Sequence, residues 1–501
     1  MKRSLNKISL LFISFAAIFG SGWLFAPFYA AQEAGAASLL AWLLGAIMSL
    51  VIGLTMAEVI TLFPKTGGLN TVAALTHGEL LGFLVIFFNL FVFIILPVIE
   101  VRAIVQYLSS YFISLVTPNG DISWLGYLFS FILLTLITLV NLYGAKLMAL
   151  LTSISVIFKI ATPILLCSVF LYVVYSLPPS AHSPFDSFFP IHWKNIFKAI
   201  ATSGIIFSFN GFNQATVFAG EAKNPQKTIP FAIFGALLFS CSLYLLVQYV
   251  FLISVPPDYL TQGWKQLSFE GDQGPFAGLA ILLGLGWLLG IIYADAVISP
   301  LGTAFTYASA APRMFYALAE GNQVFPQLMT LNRYGIPFFS VALTLALELI
   351  AFVLLPGLRA MISILVAAFI LCYTTAPASL LKLRQTQPHL TRAFRVPWAP
   401  LFCYLSLFFS NLMVFSCGWI ALRNLILTAM VLGILYLLCL PRSAARLYQQ
   451  SKGSEWFLIQ LFGIGLLSYC DHLEFVPFGI SLCGVAILSA AVLPLSLRVK
   501  L

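Results

Sequence analysis

The chain has 501 residues, of which 61% are hydrophobic and only 8% are charged, and its formal net charge is +9. A soluble domain usually carries about 25% charged residues, so this composition excludes a protein whose surface faces water. Apolar runs of about 20 residues, long enough for a helix to cross the hydrocarbon core, recur along the chain. We therefore expect an all-α integral membrane protein, because helices of this length satisfy their own backbone hydrogen bonds in the lipid bilayer.

The apolar runs predict about 14 membrane spans, the last two being the weakest. With the N-terminus in the cytoplasm, most of the 25 Lys and Arg residues fall in segments on the cytoplasmic side. This asymmetry is typical of multi-pass membrane proteins. It predicts that both termini are cytoplasmic, and it explains the positive charge without a nucleic-acid partner. We expect the chain to reside in the cell (inner) membrane. The predicted spans, numbered one to fourteen, are 8–35, 37–62, 80–112, 124–142, 148–176, 195–219, 229–254, 277–308, 336–355, 360–381, 400–419, 422–440, 455–470 and 475–496.

Two of these spans contain glycine where a continuous helix would be expected. Span one carries Gly20, Ser21 and Gly22 near its middle, and span six carries the run from Phe207 to Asn213. Glycine in a helix interior costs about 1 kcal/mol relative to alanine, and unwound backbone at membrane depth is tolerated where it lines a cavity. We expect both spans to break there and to offer free N–H and carbonyl groups to a solute. The alternative interpretation is that the small residues only allow close helix packing.

The two broken spans occupy the first positions of two five-span halves, at 8–176 and 195–381. This arrangement predicts an inverted repeat, in which the solute binds between the halves. The predicted organisation is a transporter core over residues 1–400 followed by additional spans eleven to fourteen over residues 400–501.

Four segments resemble the amino acid–polyamine–organocation superfamily, whose members have the LeuT-type fold with broken first and sixth spans. The run from Ser21 to Pro27 and the segment from Gly211 to Ala215 resemble most the branch that includes aspartate:proton symporters. The four segments are Gly20–Trp23, Gly220–Pro225 with Ile229 and Pro230, Pro312–Ala319, and Phe394–Pro397.

The resemblance also implies roles for individual residues. Gly20, Ser21 and Gly22 match the turn that binds the substrate carboxylate. Phe207 and Asn210 match positions whose carbonyl groups receive the substrate amine; Phe207 also matches an aromatic gate, and Gly211 belongs to the same segment. Some relatives carry an acid where this chain has Asn213, so a pH sensor based on an acid at that position is not expected.

Ionisable residues inside the spans are functional candidates because burying a charge in the membrane is costly. Arg102 of span three could bind a substrate side-chain carboxylate, or it could pair with Asp295 of span eight. Lys159 of span five matches a lysine that fills a sodium site in relatives, with Ser299 and Thr303 as its expected hydroxyl partners, and we expect it to exchange a proton during transport. No role follows from the sequence for three further buried acids, Glu58, Glu100 and Glu348.

These features predict a secondary active transporter of amino acids, coupled to protons by symport, with an acidic amino acid as one candidate substrate. An exchanger of amino acids or amines is the alternative within the same class, and a membrane sensor or channel on a transporter fold is the alternative from another class. The sequence contains no cofactor motif, metal-ligand set or nucleophile–base pair, so we do not expect an enzyme.

Overall fold

The computed structural model describes residues 6–63, 69–117, 121–142, 145–176, 191–213, 215, 222–269, 274–320, 324–355, 357–392, 394–439 and 453–498, with the side chains of 145–153 and 435–439 excepted. Gln214, Gly220 and Glu221 of the motifs above lie outside these residues. Within the described chain the structure is helical, and strand pairing is limited to the isolated bridges Val116–Ile122 and Leu331–Pro337.

Each predicted span corresponds to one helix or to a pair of helices. Nine described stretches are long and apolar enough to cross a membrane alone, and shorter apolar helices lie at spans one, nine and twelve. The chain is therefore an integral, multi-pass membrane protein. The helices are Lys7–Ile18 and Gly22–Ala34 (span one), Ser38–Leu62 (two), Glu79–Leu108 (three), Trp124–Leu142 (four), Ala145–Ser176 (five), Trp193–Thr202 and Ile205–Phe209 (six), Pro225–Ser254 (seven), Leu289–Ala308 (eight), Phe338–Leu354 (nine), Leu358–Tyr373 and Thr375–Thr386 (ten), Ala399–Ser416 (eleven), Trp419–Cys439 (twelve), Glu455–His472 (thirteen) and Phe478–Leu497 (fourteen).

Span eight begins later than predicted. The predicted range 277–308 contains two helices, Pro275–Leu282 and Leu289–Ala308, separated by a turn with Gly284 at φ +71°. Hydropathy runs unbroken through both helices, so it does not mark the turn. Two further helices, Leu69–His77 and Ala311–Glu320, lie between predicted spans.

The helices pack in pairs that relate the two halves of the core. Span two packs along span seven, and span three packs along span eight. Spans two and seven hold the second position of their halves, and spans three and eight hold the third, as an inverted repeat requires. The first helix of span one packs against spans five, seven and eight, which places its broken end at the centre of the core.

The C-terminal spans pack on this core through spans eleven, twelve and fourteen; span twelve contacts spans three and ten, and span fourteen contacts span ten. Span eleven contacts span two and span fourteen, and spans thirteen and fourteen pack along each other as a hairpin. Three buried polar side chains join them: the Asn411 amide donates to Ser489 Oγ at 2.9 Å, and the Gln460 amide donates to Asn411 Oδ1 at 2.6 Å. Hydrogen bonds between buried amides fix the register of the helices against each other.

Candidate functional site

Span one is interrupted at Phe19, Gly20 and Ser21. Its first helix ends at Ile18, Phe19 is extended (φ −89°, ψ 91°), and the second helix begins at Gly22. The first N–H groups of a helix have no acceptor within it. The break therefore presents backbone donors inside the protein, where the glycines predicted them.

Span six is interrupted at the predicted place and at a second one. The helix Ile205–Phe209 ends at Asn210, which is extended (φ −65°, ψ 141°), and Gly211 follows at φ +124°. The second interruption is at Gly204, with φ +93°. Both glycines adopt angles that a side chain disfavours, so the chain turns where only glycine fits easily.

The two breaks touch each other. A Cβ atom on Gly211 would lie 2.6 Å from the carbonyl carbon of Ala17, and one on Gly22 would lie 2.1 Å from Ser208 Oγ. Such distances leave no room for a side chain on either glycine. The prediction that the first and sixth spans break and meet is confirmed.

Tyr244 of span seven links the two broken spans and was not singled out from the sequence. Its hydroxyl lies 3.1 Å from the Ser208 carbonyl oxygen and 3.3 Å from that of Ile18. Its ring stacks on Phe19 at 5.0 Å and on Trp42 at 4.6 Å between ring centroids. A polar atom within an apolar span is the only sequence signal that points to this residue.

Asn210 and Phe207 lie together at the break of span six. The Tyr373 hydroxyl donates to Asn210 Oδ1 at 3.0 Å, and the Asn210 N–H donates to the Phe207 carbonyl oxygen at 3.0 Å. Asn210 is buried, and its Nδ2 has no hydrogen-bond partner among the described residues. This amide is therefore a donor available to a bound solute.

A carboxylate of the protein occupies the turn of span one. The Ser21 N–H donates to Glu100 Oε2 at 2.9 Å, and a Cβ atom on Gly20 would lie 2.4 Å from Glu100 Oε1. Glu100 is 1% exposed, and its Oε1 has no hydrogen-bond partner within the described part of the chain. The backbone donor that the resemblance assigns to a substrate carboxylate is thus bonded to an acid that received no role from the sequence.

Lys159 lies between span one and span eight. Its Nζ donates to the Ala16 carbonyl oxygen at 2.5 Å and to Thr303 Oγ1 at 2.7 Å, and the side chain is fully buried. Gly302 lets span five pack closely on span eight beside Lys159. A Cβ atom at this position would lie only 2.0 Å from Ser155 Oγ of span five. The hydrogen bond with Thr303 is the one expected from the sequence. The Ala16 carbonyl oxygen belongs to the last turn of the helix that precedes Gly20.

Ser299 is not a partner of Lys159 in this structure. Its hydroxyl donates to Asp295 Oδ1 at 2.7 Å, one helical turn away, and Trp23 Nε1 donates to Asp295 Oδ2 at 3.1 Å. The carboxyl group is the nearer acceptor on the same helix face, so the expectation for Ser299 is corrected. Asp295 and Glu100 both interact electrostatically with Lys159.

Arg102 lies apart from this site. Its guanidinium lies 5.9 Å from the centre of the Phe352 ring of span nine. Residues that are two positions apart on a helix point about 200° apart around its axis. Glu100 therefore points to span one, while Arg102 points to span nine. The structure brings Arg102 neither to the breaks nor to Asp295, which is hydrogen-bonded with Trp23, Ser299 and Thr162.

Comparison with known proteins places this chain in a family. Residues 5–439 match the family described as amino acid permease. The chain is 31% identical to the glutamate/serine transporter AimA of Bacillus subtilis, over 95% of this chain and 89% of that protein. It is also 31% identical to the aspartate-proton symporter of the same organism, over 98% of this chain and 95% of that protein.

A solved structure shows the same fold. The crystal structure of a variant of the manganese transporter of Eremococcus coleocola superposes with a TM-score of 0.54, at 14% identity, over 91% of this chain and 96% of that one. The chain belongs to the amino acid permease family and is a membrane transporter of the amino acid–polyamine–organocation superfamily with the LeuT-type fold.

Proposed function

We propose that this protein carries an amino acid together with a proton across the cell membrane, with both termini in the cytoplasm. The observation that carries the proposal is the attachment of two ionisable side chains to the break of span one. Glu100 accepts the Ser21 N–H, and Lys159 donates to the Ala16 carbonyl oxygen. A change in the charge of either group alters the hydrogen bonds of the segment that binds the substrate.

The substrate is proposed to bind at the two breaks through its amino and carboxyl groups. The turn at Gly20–Gly22 offers backbone N–H donors, Phe207 and Asn210 offer carbonyl oxygens, and the Asn210 amide offers a further donor. The names of the two relatives favour aspartate, glutamate or serine as substrate. Because Arg102 lies against Phe352, preference for an acidic side chain is not assigned to it.

Coupling follows from competition for the Ser21 N–H. A charged carboxylate accepts this hydrogen bond about twice as strongly as a neutral group does. Protonation of Glu100 weakens its hold on the turn and frees the donor for the substrate carboxylate. Release of the proton on the other side restores the bond between Glu100 and Ser21 and displaces the substrate.

Lys159 contributes to this cycle as a cation between spans one and eight that can gain and lose a proton. Its ammonium group bonds to oxygen atoms of both spans, which is the task that a bound sodium ion performs in relatives, as the resemblance implies. Proton coupling without sodium follows if the lysine takes that place.

The test is amino acid uptake into proteoliposomes at matched pH in sodium-free buffer. The wild type should take up substrate, whereas Lys159→Gln and Lys159→Ala should lose most of the uptake driven by a pH gradient. Lys198→Gln is the matched control, because the Lys198 side chain is half exposed and pairs with Glu33 at the surface. A strict sodium requirement in the wild type, or an unchanged pH response in the Lys159 variants, would contradict the proposal.

A further inference from the structure

A second cluster of buried nitrogen groups lies away from the transport site, where the C-terminal hairpin meets the core. His77 ends the helix Leu69–His77, Lys382 lies in the last helix of span ten, and Trp456 lies in the first turn of span thirteen. Their exposed fractions are 0%, 5% and 1%, respectively. The cluster is therefore enclosed by the protein.

Direct contacts hold these residues together. The His77 ring meets the Trp456 ring edge-on at 5.2 Å, and its Nδ1 lies 2.8 Å from Thr76 Oγ1. That hydroxyl lies 2.8 Å from Ser379 Oγ, one helical turn before Lys382. Lys382 is close enough to act electrostatically on His77. One site thus combines groups from the core and from the C-terminal hairpin.

The nitrogen atoms of this site are short of acceptors. Lys382 Nζ and Trp456 Nε1 have no hydrogen-bond partner among the residues that the structure describes. His77, by contrast, is held by Thr76 Oγ1 at Nδ1 and by the backbone of Ser496 in span fourteen. Buried donors are nearly always paired, and a buried ammonium needs a compensating charge.

His77 contributes a neutral ring to the cluster. Burial, and to a lesser extent the positive charge of Lys382, lowers the pKa of His77 to about 3. Its ring is therefore uncharged near neutral pH, and its one N–H is used by Thr76 or by the backbone of Ser496. Among the described residues no salt bridge gives Lys382 an acidic partner, so within that part of the chain its positive charge is not compensated.

We propose that a small monovalent anion of the size of chloride binds between Lys382, Trp456 and His77. The ammonium balances its charge, the indole N–H group directs it, and the neutral His77 ring packs beside it. A larger anion or a lipid headgroup does not suit a site whose three side chains are at most 5% exposed. Because Trp456 belongs to the C-terminal hairpin, the bound anion joins spans thirteen and fourteen to the transporter core.

The test is the thermal unfolding midpoint of the purified full chain in detergent, titrated with sodium chloride against sodium gluconate at constant ionic strength. A ligand that binds only the folded state raises the midpoint with its concentration. We expect a saturable rise in chloride that is absent in gluconate. Trp456→Phe keeps a ring against His77 and removes one donor, so it should raise the half-saturating chloride concentration about tenfold, as loss of about 1.4 kcal/mol predicts.

Lys382→Met should abolish the chloride-dependent rise. Trp398→Phe and Lys198→Met are the matched controls, because Trp398 is 78% exposed and Lys198 lies at the surface; both should respond to chloride as the wild type does. A crystal soaked in sodium bromide should show an anomalous peak beside Lys382 Nζ. Equal midpoints in chloride and gluconate, or an unchanged half-saturating concentration in Trp456→Phe, would overturn the proposal.

Discussion

Single glycines decide whether the two broken spans can meet. Gly22 lies so close to span six that an added methyl group would overlap Ser208 Oγ at 2.1 Å. Gly290, near the start of span eight, has open space where a Cβ atom would be added. The same substitution at the two positions therefore separates the effect of contact between the spans from that of removing a glycine.

Gly22→Ala should abolish amino acid uptake while the protein still inserts into the membrane. The added Cβ atom must push spans one and six apart, which moves the backbone donors at the turn. Uptake and protein amount would be measured on the same vesicles, with Gly290→Ala as the control at near wild-type activity. Normal uptake by Gly22→Ala would show that the close approach of the two breaks is not needed for transport.

Glu100→Gln should separate substrate binding from proton coupling. Glutamine keeps an oxygen that can accept the Ser21 N–H but cannot exchange a proton, so exchange of internal for external substrate should persist while uptake driven by a pH gradient is lost. Glu348→Gln is the control, since Glu348 is a buried acid of span nine outside the site. Retention of pH-driven uptake by Glu100→Gln would remove Glu100 from the coupling scheme.

The site was predicted only in part at this scale. Glycine positions reveal where a helix breaks, and the resemblance placed Lys159 beside Thr303. Glu100 and Tyr244 were missed because their roles depend on how each helix is rotated about its axis. Each span carries apolar residues on all of its faces. Hydropathy therefore does not show how the helix is rotated about its axis.

Among the helices, one buried ion pair fixes the end of span two to the end of span ten. Arg384 binds Glu58 with two hydrogen bonds, of 2.9 and 2.6 Å, and the Val396 N–H donates to Glu58 Oε2 at 2.6 Å. Arg392 Nε lies 3.4 Å from Glu58 Oε1. This cluster explains why an acid is tolerated at the end of span two.

Glu58→Gln should destabilise the protein strongly. Removing one partner of a buried pair leaves an uncompensated charge and costs about 3–5 kcal/mol. The control is Glu33→Gln, whose more exposed pair with Lys198 should contribute about 1 kcal/mol or less. The free energy of unfolding in detergent would be measured for both variants. Equal losses would show that the Glu58 cluster stabilises the protein no more than the Glu33–Lys198 pair does.

Helix positions were predictable because lipid requires long apolar runs, and their interruptions were less so. The start of span eight was misplaced because residues 277–288 are as apolar as the helix that follows. The break at Gly204 was missed because it lies six residues before the break at Asn210, and both fall within one apolar run. Hydropathy measures how favourably a residue transfers from water into lipid. Residues of a turn that is buried among other spans are as apolar as those of a helix, so hydropathy does not reveal the turn.

For the whole molecule, the packing of equivalent spans explains why the candidate site lies at the centre. Equivalent spans from the two halves pack side by side, and the broken spans meet between them. The purpose of the C-terminal spans was not predictable from the repeat, because they lie outside it. Their buried amide network and the anion site proposed above both attach them to the core.

Proton-coupled symport is tested most directly by substrate accumulation in wild-type proteoliposomes without sodium and without internal amino acid. Labelled aspartate, glutamate and serine would be supplied with an imposed pH gradient, acidic outside, and then with a protonophore added. Proton-coupled symport predicts accumulation of at least one of them above the external concentration, and its loss when the gradient is dissipated. Uptake that requires internal amino acid or sodium, or that ignores the pH gradient, would contradict the account.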